Sequence, residues 1–117
     1  MIEIPEMLNL IEIAVSERGE TFKYQDYDVV DMDALNCQYR HPVTGKPLCI
    51  AGVALAEAGL LDQLVEDEIV SAQSGLVGKV SRPALDVLDA AQAAQDSYMT
   101  WGYALNAARW KAEELQS

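Results

Sequence analysis

Positive charge is scarce in this sequence. Its 117 residues carry 8 Lys and Arg against 19 Asp and Glu, for a net charge of −11 with the single His neutral. A surface of that sign has little to offer a phosphate backbone or an anionic bilayer, which argues against direct binding to nucleic acid or to a membrane surface. Long apolar runs are missing too. The longest, residues 48–61, is interrupted by Glu57 and falls short of the roughly 20 residues that a spanning helix needs. The opening Met1-Ile2-Glu3-Ile4-Pro5-Glu6 is acidic where a secretory signal would be basic, so a cytoplasmic location is expected. No repeat, low-complexity segment or linker is evident.

Metal-binding and nucleophilic side chains are few. Cys37, His41 and Cys49 are the only Cys and His residues. Zinc sites favour paired ligands such as Cys-x-x-Cys, and structural sites need four. Both cysteines fit apolar core positions without a metal, so no metal and no cofactor are expected. In a reducing compartment they are read as buried free thiols; a disulfide between them, closing a hairpin-sized loop, is the alternative. A Cys–His nucleophile pair needs an electropositive, partly exposed thiolate, for which Arg40 and Lys46 are the nearest support. A serine nucleophile elbow is absent. The run Asp26, Asp28, Asp31 and Asp33 lacks the turn Gly and closing Glu of a calcium loop. Gly75-Leu76-Val77-Gly78-Lys79 lacks the spacing of a phosphate loop. No catalytic residue is therefore assigned, and the chain reads as non-enzymatic.

What is present is apolar patterning. Hydrophobic residues make up 50% of the chain and charged residues 23%, enough to bury a core and too much for a disordered acidic chain. The length suits one compact domain over residues 1–117. Residues 5–18 predict an amphipathic helix, with Met7, Leu8, Ile11, Ala14 and Val15 on one stripe and Arg18-Gly19 as its stop. Residues 21–25 and 35–40 alternate and predict strands, with Leu35, Cys37 and Tyr39 facing inward. Residues 42–47 read as a turn. Residues 48–58 predict the most buried helix, in which Gly52 implies a close backbone approach. A further short helix is expected over 60–69, with Leu61, Leu64 and Val65 inward, then an irregular stretch over 70–80 that holds a short extended piece at 75–78. Ser81 caps the next helix, whose inward face is Leu85, Leu88, Ala91 and Gln95. Thr100 caps a last one over 101–114, antiparallel to its predecessor. The expected class is α+β: mostly helical, with four to five helices and a small two- to three-stranded antiparallel sheet.

Several of these segments carry a resemblance. Cys37-Gln38-Tyr39, the run from Gly45 through Cys49 and Gly52 to Leu55, Gln95-Asp96 and Trp101-Gly102-Tyr103-Ala104-Leu105 resemble small uncharacterised proteins of actinobacteria and their phages. The similarity covers most of the chain. It implies a phage-type accessory protein that acts by binding, and it transfers no activity and no catalytic residue.

Three functions are compatible with these features. The first is stoichiometric binding of a host or viral protein, of the host-takeover or counter-defence type, the partner bearing a basic surface. Its contact residues would be Tyr103 and Trp110, which lie off the Trp101–Leu105 face, and the acids Asp26, Asp28, Asp31, Asp33, Asp62, Glu66 and Asp67. The second is sequestration of a small molecule or nucleotide signal, for which Arg40, Lys46, Lys79 and Arg82 would have to converge. The third is DNA mimicry, in which acids spaced like phosphates occupy a DNA-binding protein. A homodimer through the apolar 48–61 segment is also compatible.

Overall fold

A computed structural model describes residues 1–24, 38–41, 43–66 and 68–116. Four α-helices occur among them: α1 (Ile4–Arg18), α2 (Ile50–Glu57), α3 (Arg82–Asp96) and α4 (Trp101–Gln116). Their buried side chains form one hydrophobic cluster. The most extensive contact is between α3 and α4, which residues 97–100 join as a helical hairpin; α2 lies against α1 and α3.

Local chemistry explains the helices. Pro5 occupies the first turn of α1, where its missing N–H costs nothing, and Gly19 closes the helix at φ 96°, its N–H donating to Val15 O at 2.7 Å. Met7, Ile11, Ala14 and Val15 supply the buried stripe. The Ser81 hydroxyl caps α3 by accepting from the Ala84 N–H at 3.2 Å. Ala104, Ala108 and Ala112 on the buried face of α4 let α3 approach closely. In α2 every residue from Ile50 to Leu55 is buried.

The start of α4 is completed by both distant and adjacent groups. At α4, the Trp101 N–H donates to Phe22 O at 2.8 Å, the Gly102 N–H to Glu20 O at 2.9 Å, and the Tyr103 N–H to Thr100 Oγ1 at 3.2 Å. Gly52 lies against the Tyr39 segment, and a Cβ there would collide with the Tyr39 carbonyl. The close approach implied by a glycine in so apolar a helix is thus to a loop.

The expected sheet does not form, and the α+β class is corrected to a helical fold without strands among the described residues. Only isolated bridges occur, Ile2 with Val80 and Arg40 with Pro47. The reason lies in where the backbone bonds go. The Phe22 carbonyl is taken by α4, and the Phe22 N–H donates back to Gly19 O. Gln38 N–H donates to the Tyr24 hydroxyl, and the Tyr39 and Arg40 N–H groups donate to the Glu66 carboxylate. Side chains occupy the positions a neighbouring strand would need. The alternation at 38–40 reflects burial of Tyr39, which is 1% exposed, rather than a pleat. Residues 25 and 35–37, the rest of the two expected strands, lie outside the described residues, as does Cys37.

Residues 60–69 also differ from expectation. Among their described residues only a 3-10 turn, Leu61–Gln63, precedes Val70. Arg40 takes the Leu61 and Leu64 carbonyls, and the Gln73 side chain takes both the N–H and the carbonyl of Val65, so the helical ladder has no free groups to continue with. Val65, expected inward, is 54% exposed. The stretch that follows holds two more 3-10 turns, Val70–Ala72 and Ser74–Leu76, in place of an extended piece. No helix among the described residues is long and apolar enough to cross a membrane.

Candidate protein-interaction surface

Several polar side chains of the interior hold backbone, while the buried Trp101 Nε1 and Gln38 Oε1 have no hydrogen-bond partner among the described residues. Arg18 forks onto the Leu48 and Pro47 carbonyls at 2.5 and 2.8 Å. Its guanidinium lies 5.1 Å from the Trp101 ring centroid and 5.6 Å from that of Phe22. Those two rings meet edge to face at 4.9 Å. Gln73 bonds Val65 and Glu68, and Gln92 and Gln95 bond the start of α2. His41 Nδ1 accepts from the Val43 and Thr44 N–H groups at 3.1 and 3.2 Å. That nitrogen is therefore engaged by the turn that follows His41. Cys49 is buried at the start of α2. Among the described residues no group of three His, Cys, Asp or Glu could hold a metal ion.

The four cations considered for a phosphate site take separate duties. Arg40 donates to Leu61 O and Leu64 O at 2.7 and 2.6 Å and stands 3.8 Å from Glu66. Arg82 donates to Ser71 O at 3.2 Å and pairs with Asp86 at 3.6 Å. Lys46 is exposed in the turn before α2, and Lys79 is exposed in the turn before α3. No described contact joins any of the four to another.

Among the acids considered for a partner, Asp26, Asp28, Asp31, Asp33 and Asp67 lie outside the described residues. Asp62 is exposed in the Leu61–Gln63 turn. Glu66 is half-buried, its carboxylate turned onto the Tyr39 and Arg40 N–H groups at 3.0 and 3.1 Å.

The aromatic pair faces solvent. Helical phase puts Trp101, Ala104, Leu105 and Ala108 toward the core and Tyr103 and Trp110 on the outer side of α4. Tyr103 is 44% and Trp110 55% exposed. Two helical turns apart, their rings meet edge to face at 5.7 Å and 82°, an arrangement that aligns opposite ends of their quadrupoles. Beside them, Arg109 Nη2 reaches across to Glu12 Oε1 of α1 at 2.8 Å. A shallow groove lined by Asn9, Glu12, Ile13 and Ser16 runs along α1 there. Lys111 stands 3.6 Å from Glu114. Both cations near the aromatic pair are thus matched by a glutamate. Glu6 and Glu17 are exposed on α1 and Glu113 on α4, so acids outnumber bases on the exposed sides of these two helices.

Two aspartates on α3 are harder to ionise than usual. Burial raises the pKa of Asp96 despite hydrogen bonds from Gln95 and Gln92. Burial likewise raises that of Asp89, against a hydrogen bond from Ser71 and with help from neighbouring Asp86.

Some participants escape sequence reasoning. Tyr98 and Met99, 57% and 41% exposed, stand in the turn that leads into α4, and nothing in their spacing marks them. The inward Gln95 was recognisable from helical phase, although its partner on α2 was not. Comparison of the chain with protein-family models, with curated proteins and with solved structures finds no match.

Proposed function

We propose that the protein is a non-enzymatic, stoichiometric binder of another protein, acting in the cytoplasm and engaging a basic segment of its partner through the outer face of α4. The supporting observation is the exposed edge-to-face pair of Tyr103 and Trp110 in acidic surroundings. Aromatic side chains dominate binding hot spots because they bury much area at little entropic cost. Their ring faces also attract Lys and Arg side chains, which the surrounding glutamates would steer inward. The resemblance to small phage proteins points the same way, toward a factor that blocks or redirects a host or viral protein. A nucleotide-sequestering role has less support, because Arg40 and Arg82 are already engaged with backbone carbonyls.

The test is quantitative co-purification from an actinobacterial lysate with the wild-type protein and with the Tyr103→Ala/Trp110→Ala double variant. One partner is expected with the wild-type protein, released by raised salt and lost with the double variant. Equal recovery by both proteins, or no partner, overturns the reading.

A further inference from the structure

The turn between α3 and α4 places a bulky side chain in a backbone conformation usually left to glycine. Ser97 N–H donates to Ala93 O, Tyr98 N–H to Gln95 O and Met99 N–H to Ala94 O, at 3.1, 3.1 and 3.2 Å. This closure places the residue after the helix in the left-handed region, where glycine is usual because it has no Cβ. Here the residue is Tyr98, at φ 67°. The other described positions of positive φ are Gly19, Gly45, Gly59 and Gly78. Glycine therefore serves every other left-handed position described, and only this one carries a bulky side chain, a genuine outlier for such a residue. Tyr98 is 57% exposed, and its side chain makes no hydrogen bond or ring contact among the described residues. A strained, outward tyrosine invites a functional explanation.

We infer that the docking surface extends from α4 onto this turn, with Tyr98 as a further anchor, and that its occupant is a basic amphipathic helix. The inference rests on the binding role proposed for Tyr103 and Trp110. Tyr98 and Met99 lie in the turn ahead of Thr100 and α4, so the exposed apolar residues begin in the turn and reach Trp110, about 14 Å along α4 at 1.5 Å per residue. A partner helix of roughly three turns covers that length with one apolar stripe. Charge selects its sign. Glu113 is exposed near one end of the run, and Arg109 and Lys111 are already matched by Glu12 and Glu114. A second copy is a poor occupant, since it brings another net charge of −11 to the same face.

The probe is a synthetic helical peptide with Leu at positions i, i+4, i+7 and i+11 and Lys and Ala elsewhere, beside a scrambled peptide of the same composition. Binding is read by calorimetry and by the NMR shift of the Trp110 indole N–H; stability is read by thermal melting. Tyr98→Gly is expected to raise Tm by about 4 °C and to weaken binding of the patterned peptide about fivefold. Tyr98→Phe should bind as the wild type does. Tyr98→Asn, which also tolerates the left-handed region, should reproduce the glycine result and guards against a folding defect peculiar to one variant. Unchanged affinity in Tyr98→Gly, with Tyr103→Ala/Trp110→Ala still impaired, overturns the extension and leaves the α4 site standing. Unchanged affinity in all of them overturns both. Equal binding of the scrambled peptide overturns the helical occupant, and a Tm that does not rise in Tyr98→Gly overturns the strain argument.

Discussion

The side-chain carbonyl of Gln95 accepts the backbone N–H of Ile50 at 2.8 Å, across 45 positions of sequence. Gln92, one turn earlier on α3, accepts from Ala51 at 3.1 Å. The first N–H groups of a helix have no partner within it, and Cys49 at the head of α2 offers no side-chain cap. Two buried glutamines of another helix supply what the local sequence omits.

Replacing Gln95 therefore leaves a buried donor unsatisfied. Gln95→Met keeps most of the packing and is expected to cost roughly 2 kcal/mol, the penalty of an orphaned buried amide. Gln95→Ala adds a cavity and should cost roughly 3 kcal/mol. Urea unfolding measures both. A Gln95→Met protein as stable as the wild type would show that the Ile50 bond contributes nothing.

At Gly52, helix propensity and packing have opposite signs. Alanine is the better helix former by about 1 kcal/mol, but its Cβ would enter the Tyr39 carbonyl. Overpacking against backbone wins, and Gly52→Ala should lose about 2 kcal/mol net. Guanidinium titration of the variant decides the sign.

Arg18→Lys conserves charge but loses the planar fork onto Leu48 O and Pro47 O as well as the stacking on Trp101. An ammonium cannot reproduce that geometry. A loss of roughly 2 kcal/mol is expected, accompanied by a change in the near-ultraviolet circular dichroism of Trp101. Retention of both signals would count against this role.

Asp96 gives stability a pH dependence of known sign. Burial raises its pKa in the folded protein, and its place as the last residue of α3 adds the unfavourable end of the helix dipole. The folded state then holds more protons than the unfolded one as pH rises from about 4, the ordinary aspartate range. Stability falls through that window, and the deficit persists above it. Asp96→Asn retains an acceptor for Gln95 and removes the charge. It should flatten this part of the pH–stability profile and gain on the wild type at pH 7 compared with pH 3. A gain that is larger at pH 3 would reverse the assignment.

Helices were legible in the sequence wherever the determinants are local. The apolar period of α1, the Ser81 cap of α3 and the small-residue face of α4 all act within one or two turns. Alternation fails to specify a sheet here because it reports burial, not the identity of the hydrogen-bond partner. Tyr39 and Arg40 alternate as a strand would, but their N–H groups end on Glu66, 27 and 26 positions away. The 60–69 segment departs from its apolar pattern for a related reason: Arg40 and Gln73 capture the carbonyls and the amide that a helix there requires. At the candidate surface, the outward phase of Tyr103 and Trp110 relative to Trp101 could be read from residue spacing. The left-handed backbone of Tyr98 could not, since it follows from how α3 and α4 close on each other.

The capping of α2 from α3 also orders events in time. The α3–α4 hairpin is local and can form on its own loop, whereas the start of α2 must wait until Gln92 and Gln95 arrive from 41 and 45 positions away. Contacts of such sequence separation are slow to close. Substitutions at Ile50 and Ala51 should accelerate unfolding while scarcely slowing refolding, with φ-values near zero, and those on the buried face of α3 should show the larger values.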